Sequence, residues 1–298
     1  MKGNAMKKSA LIAVAAALAA AFSAAGSAAA TRTAPLVIDH LCADLGAIPS
    51  SWIDEAQALV KWHYAHTSHG SQLTNGLDTI EAFDPAYDAE IGRSYLPVVA
   101  NALCVFQGQE DATYIEPQDY WETSEGMDRT RAVLANNPSI NVSAFAWCTQ
   151  LSSATEEYVQ AYLDSMTVLE GEFPNVTFVY MTQNAQSETA NRTLRNRQIR
   201  DFCVANNKVL YDFEDLDCWW FNPETQEWEQ GTYTDYWGNV WPVQHPQYDG
   251  AEVAHTTWES CFQKGEAVWW MVARLAGWDG STAGVDSASW GEIKSIFR

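Results

Sequence analysis

Apolar residues recur along this chain in two rhythms, continuous runs and spacings of three to four, and the two alternate. Residues 52–59 read as a short amphipathic helix, and 60–65 as an aromatic, apolar strand. From Gly70, Leu73, Leu77 and Ile80 return at helical spacing. A second strand is expected over 102–106, ending at Gly108. A loop with Tyr114, Tyr120 and Trp121 then leads to a helix around 130–135, which Asn136-Asn137-Pro138 stops. Residues 141–147 give a third strand. Tyr158, Tyr162 and Met166, with Val159, Leu163 and Leu169, form a helix behind the N-cap candidates Ser153 and Thr155.

Pro174 breaks that helix, and 176–181 is the continuous apolar run expected of a parallel strand covered on both faces. Leu194, Ile199, Phe202 and Cys203 mark another helix, ending near Asn206-Asn207, and 208–213 gives a fifth strand. The last long helix carries Phe262, Val268, Trp269, Val272 and Leu275. Strands alternating with helices in this way predict a parallel sheet with helices on both faces. Such sheets bind ligands beyond the carboxyl ends of their strands, which puts Ser68, Gly108, Gln150 and the segment after Phe213 on one rim.

The ends of the chain and its charge narrow the setting. Lys2, Lys7 and Lys8 precede an alanine-rich stretch and Ala28-Ala29-Ala30, the pattern of a signal peptide cut after Ala30, so a secreted or periplasmic protein is expected. Residues 31–280 then form a single α/β domain with an aromatic-rich insert over 218–250, and 281–298 a tail. The formal charge is −21, or −24 without those three lysines, which repels nucleic acid and anionic lipid. No other segment is apolar enough to insert in a membrane, and neutral or cationic substrates fit better than anionic ones. The six cysteines form no CxxC pair; structural disulfides or buried thiols are expected rather than a zinc-thiolate site.

The chemistry concentrates at Trp62-His63-Tyr64-Ala65-His66-Thr67-Ser68-His69-Gly70. Ser68 falls at a strand-to-helix corner, where unpaired N–H groups and the helix dipole favour developing negative charge. Helix capping is the plainer reading of the same serine. Acyl transfer by serine also needs a base and a group to orient it. Glu252-Val253-Ala254-His255, just before the last helix, offers a carboxylate and an imidazole on one turn. His255 is the expected base and Glu252 its orienting acid.

Taken in order, these blocks resemble the SGNH (GDSL-like) hydrolase superfamily, in a divergent secreted branch. His66-Thr67-Ser68 stands where that family has Gly-Asp-Ser, Gly108 where it has a glycine N–H donor, and Trp147-Cys148-Thr149-Gln150 where it has an asparagine. Glu252 and His255 stand for its Asp-x-x-His. The resemblance covers nearly all of the chain after residue 30 in element order, while each block is degenerate. It implies a flavodoxin-like three-layer α/β/α sandwich with a five-stranded parallel sheet, no cofactor, and hydrolysis of carboxylic esters through an acyl-enzyme. Ser68 would be the nucleophile, and Ser68, Gly108 and Gln150 (or Thr149) the oxyanion donors. The substrate would be a small-molecule or carbohydrate ester, contacted by His66, His69, Trp147, Trp237 and Trp241.

Competing readings remain at several places. His63, His66 and His69, three apart, diverge on either a helix or a strand, so a metal site is not expected. Asp212, Glu214, Asp215 and Asp217 lack the glycine-spaced pattern of a calcium loop and read as a solvated or hydrogen-bonded strand end. Arg192, Arg195, Arg197 and Arg200 read as an exposed helix face paired with carboxylates. Trp219, Trp220, Trp228, Tyr233, Tyr236, Trp237 and Trp241 lie in what reads as one long loop, either an aromatic wall for sugar rings or acyl groups, or a satellite core. A catalytically silent carbohydrate-binding protein and an acyltransferase are the alternative functions.

Overall fold

The computed structural model describes residues 33–281; the expected leader, 1–30, and the tail beyond Ser281 lie outside the described residues. Seven strands form the central sheet: β1 Leu36–Ile38, β2 Lys61–His66, β3 Ala89–Arg93, β4 Leu103–Gln107, β5 Val142–Ala146, β6 Thr177–Met181 and β7 Val209–Tyr211. Every pairing is parallel, in the order β1-β7-β6-β5-β2-β4-β3. The five strands expected from the sequence are the inner ones, β4-β2-β5-β6-β7. The expected count is therefore two short, and both missing strands are edges. β1 has only three residues, and β3 reads Ala-Glu-Ile-Gly-Arg, with neither an apolar run nor a clean alternation.

Helices cover the sheet in two groups. Helices α1 Ser50–Leu59, α2 Ser71–Phe83 and α7 Trp258–Ala276 pack on one another, while α3 Ser124–Asn136, α4 Glu156–Glu172 and α5 Ala190–Ala205 form the second group. The result is a three-layer α/β/α arrangement. Thr155 rather than Ser153 caps α4, its hydroxyl accepting from the Tyr158 N–H at 3.2 Å.

The inner order is that of a doubly wound sheet, in which the chain runs outward in both directions from its first inner strand. That reversal lies between β2 and β5. Their register, from Trp62 opposite Val142 to His66 opposite Ala146, ends both strands at the same level. Whatever follows His66 and Ala146 meets at one crevice.

Three expectations change. The aromatic insert is two antiparallel hairpins, β8 Trp219–Asn222 with β9 Glu227–Gln230 and β10 Thr232–Thr234 with β11 Val240–Pro242, not one loop. Trp219 stacks on His40 with ring centres 4.6 Å apart, and Trp220 on His245 at 5.3 Å, so the first hairpin is partly a satellite core. The acidic run forms a short helix, α6 Phe213–Cys218, and it pairs with the arginines of α5. Arg192, fully buried rather than exposed, bonds Glu214 at 2.9 Å, and Arg200 bonds Asp212 at 2.5 Å. Two charge runs distant in sequence thus neutralise each other inside the protein. Finally, all six cysteines are free, and all but Cys148 are buried as small apolar groups. No described helix is long and apolar enough to cross a membrane.

Helices α2 and α7 cross at two glycines. A Cβ on Gly76 would sit 2.1 Å from the Cys261 carbonyl oxygen, and one on Gly265 2.6 Å from the Gly76 carbonyl carbon. Backbone meets backbone here, so neither helix can yield locally. Gly76→Ala is expected to cost about 1–3 kcal/mol of stability, read as a lower midpoint in urea unfolding.

Candidate functional site

Beyond β2 the chain turns through residues 67–70 into α2. Ser71 N donates to Ser68 O at 3.2 Å and Gln72 N to His69 O at 3.1 Å, so helical bonding begins at once. Among the described residues, the N–H groups of Ser68, His69 and Gly70 have no acceptor. Beyond β5 comes Trp147-Cys148. The paired strands bring these two segments together, and the contact is a chain of polar atoms. His69 Nδ1 lies 3.0 Å from Cys148 Sγ, and His69 Nε2 lies 2.6 Å from Gln186 Oε1. Ser68 Oγ is 3.9 Å from the same sulfur.

The electrostatics favour charge separation across this contact. Burial opposes ionisation of the Cys148 thiol, but the His69 ring at 3.0 Å, with the Thr67 and Ser68 hydroxyls nearby, prevails and brings its pKa down to about 7. Burial likewise opposes a charged His69. Its bonds to Cys148 and Gln186, with the negative charges of Cys148 and Asp217, raise it above the ordinary histidine value. A carbonyl-type oxygen on Nε2 requires a proton there, so Nδ1 faces the sulfur and carries the shared one. Cys148 and His69 titrate as a pair: thiol–imidazolium below neutrality loses one proton from the sulfur near pH 7 and becomes thiolate–imidazolium.

Neighbouring segments hold the pair rigidly. Cys148 N donates to Gln150 Oε1 at 2.8 Å, and Asn184 Nδ2 donates to the Cys148 carbonyl. Gln186 follows β6, where Ala185 N donates to Asp217 Oδ2 at 2.7 Å. Asp217 Oδ1 in turn pairs with Lys264 Nζ at 2.7 Å, both side chains fully buried. An ion pair beneath the rim therefore fixes the loop that carries the orienting amide.

His255 completes the rim from the opposite side. Thr256 N donates to Val253 O at 2.9 Å and Val253 N to Thr256 O at 3.2 Å, closing a two-residue turn. Its central residues, Ala254 and His255, have φ of 48° and 69°, a left-handed pair that ordinarily calls for Asn-Gly. Two glutamines hold it: Gln72 Nε2 donates to Ala254 O at 2.8 Å, and Gln186 Nε2 donates to His255 O. The turn lays the His255 ring on His69, centres 4.6 Å apart and 20° from parallel. Burial and then the like charge of His69 lower the pKa of His255.

The expected triad is only partly assembled. Ser68 and His255 share the rim, but among the described residues the His255 ring makes no hydrogen bond to Ser68 or Glu252. Glu252 is exposed and its Oε2 accepts from Trp258 N at 3.0 Å, capping α7. Gly108 is no oxyanion donor: its N–H is spent on Tyr64 O at 2.9 Å, and its carbonyl accepts from His63 Nε2 at 2.9 Å. With φ at +94° and Ala112 O only 2.3 Å from where a Cβ would lie, glycine there serves the turn. Gln150 spends its oxygen on Cys148 N and keeps its amide N–H₂, whereas Thr149 is exposed.

Of the expected substrate contacts, His69 is in the site. His66 is buried, bonded to Thr67 O at 2.6 Å and to Gln107 Nε2 at 3.0 Å, and supports the corner from below. Trp147 is fully buried against Trp121 and Tyr162. Trp241 is half-buried, and Trp237 is 82% exposed on the second hairpin. Cys148 and Gln186 were not among the expected residues. A signal for Cys148 existed: it follows the third expected strand as Ser68 follows the first, and those two strands are neighbours in a doubly wound order. Gln186 carries no comparable signal.

The three histidines of the β2 region bond separate partners, His63 to Ser143 and Gly108, His66 to Thr67 and Gln107, His69 to Cys148 and Gln186. Among the described residues no group of three His, Cys, Asp or Glu is arranged to hold a metal. The chain matches no protein-family model and no curated protein.

Two measurements check the site. Burial raises Cys42 and Cys261 to about 12, and pushes Cys203 and Cys218 up as well. Iodoacetamide is therefore expected to alkylate Cys148 alone in the native protein, at a rate rising with pH through about 7; intact mass and peptide mapping read this out. Burial also pushes His63 and His66 down to about 4. The unfolded chain binds their protons near pH 6.5, so the folded state loses stability as pH falls from there towards 4. The expected loss is on the order of 3 kcal/mol per histidine, read from urea midpoints at pH 7 and pH 4.

Proposed function

We propose that this chain is a hydrolase of carboxylic esters that works through a covalent acyl-enzyme, with Cys148 as nucleophile and His69 as its acid–base partner. The observation that carries the reading is the line Cys148 Sγ, His69 Nδ1, His69 Nε2, Gln186 Oε1, a nucleophile, a base and an orienting group in hydrogen-bond sequence. The thiolate attacks the ester carbonyl carbon, and the carbonyl oxygen takes up the displaced electron pair. The N–H groups of Ser68, His69 and Gly70 at the start of α2, with the Gln150 amide, stand ready to receive that oxyanion. Collapse breaks the ester C–O bond, and the alcohol leaves with the proton of His69 Nδ1. Water then gives a proton back to His69, attacks the thioester, and releases the acid and the Cys148 thiolate.

Ser68 supports a second reading, a serine esterase on the same rim, because its hydroxyl lies 3.9 Å from Cys148 Sγ at the start of α2. The resemblance to SGNH hydrolases, with the inner strand order of a doubly wound sheet, favours ester chemistry under either nucleophile. The two readings differ in one experiment. Cys148→Ala is expected to lower kcat/KM for a short nitrophenyl ester by at least about 1,000-fold, while Ser68→Ala changes it less than about tenfold. The reverse pattern assigns the nucleophile to Ser68, and full activity in both variants removes ester hydrolysis at this rim.

A further inference from the structure

The turn of the second hairpin is built to hold two aromatic rings in water. Tyr236 is 94% exposed and Trp237 82%, their centres 5.9 Å apart and nearly perpendicular. Mobile exposed aromatics need no explanation, but these sit on a fixed frame. One Asp235 oxygen accepts from the N–H groups of Trp237 and Asn239, both at 2.9 Å. The other accepts from Asn239 Nδ2 at 2.9 Å and Trp241 Nε1 at 2.8 Å. These bonds hold the Asp235 carboxyl down to about 2. Gly238, at φ +86°, closes the turn.

The base of the hairpin is tied to the candidate site. Gln244 N donates to Ala185 O at 2.9 Å, one residue from Gln186, and His245 N donates to Asp217 O at 2.9 Å. Arg192 Nη2 donates to Pro242 O at 2.5 Å. With strands of three residues, the turn stands roughly 10–15 Å above that base. A length of that order is roughly that of a few sugar units.

We propose that Tyr236 and Trp237 bind the pyranose rings of an uncharged polysaccharide and hold it while an acyl substituent reaches Cys148; the substrate class rests on the ester-hydrolase reading. Two ring faces on two consecutive residues match the apolar C–H faces of sugars, and the Asp235 bonds hold both in place. A protein partner needs about 800 Å² per side, far more than this turn offers. The net charge of −21 opposes both anionic lipid and acidic glycans.

Binding is tested apart from turnover, using Cys148→Ala protein depleted from solution by insoluble cellulose, chitin or acetylated xylan. The parent is expected to bind at least one, with affinity falling at least tenfold when Tyr236→Ala and Trp237→Ala are added. It is expected not to bind phosphatidylglycerol vesicles. No polysaccharide binding by the parent, equal binding by the aromatic variant, or capture by the vesicles each overturns the proposal. On active protein, the same aromatic changes are expected to lower kcat/KM for the bound polysaccharide ester and leave a short nitrophenyl ester within twofold. Failure of the ester-hydrolase reading instead shows as no nitrophenyl ester turnover by the protein with Cys148 intact, with the binding result still readable.

Discussion

Parallel pairing of β2 with β5 is the constraint on which the site depends. Neither Ser68-His69 nor Cys148 carries chemistry alone, and 79 positions separate His69 from Cys148. The ladder that sets His66 opposite Ala146 ends both strands at one height, so the next residues of each face a shared crevice. A slip of one residue would turn every side chain of β5 over and take the packing of Phe145 and Trp147 with it. The register is therefore secured by the core, and the site inherits its precision from burial that has nothing to do with chemistry.

Around that crevice, charge is handled by pairing in depth. Arg192 and Glu214, Arg200 and Asp212, and Lys264 and Asp217 each join an element of one helical group or loop to another. Removing one partner of the Arg192–Glu214 or Lys264–Asp217 pair strands a charge in a dry interior, which is strongly destabilising, although such pairs add little net stability of their own. Their effect is positional. Asp217 holds Ala185, Ala185 holds the hairpin base, and the adjacent Gln186 holds both histidines of the rim. The left-handed residues Ala254 and His255 are tolerated only within that frame.

The five inner strands and the long helices were legible because burial on both faces leaves continuous apolar runs, as in 176–181, and amphipathic packing leaves helical spacing. Edge strands escape that logic: β3 exposes Glu90 and Arg93 and reads as irregular chain. The insert was misread for a different reason, since three- and four-residue strands lie below the length at which alternation can be seen. Within the site, the serine corner and the rim position of His255 were legible from strand-to-helix order. The Cys148–His69 contact was not, because it requires knowing which strands are neighbours and which rotamer the imidazole takes. Glu252 shows the converse hazard: a carboxylate three residues before a histidine looks catalytic in sequence, yet in the fold it caps the helix that follows.

Gln186 places a neutral amide where many nucleophile–base pairs carry an acid. Its oxygen fixes the ring of His69 and its nitrogen fixes the backbone of His255, without adding charge to either. Thiol with imidazole, and thiolate with imidazolium, then have the same total charge. Conversion between them is an internal proton displacement that exchanges nothing with solvent. The strongly acidic exterior has little leverage on that internal balance, and ionic strength scarcely moves it; solvent acts on the pair only through the one proton that is lost near pH 7.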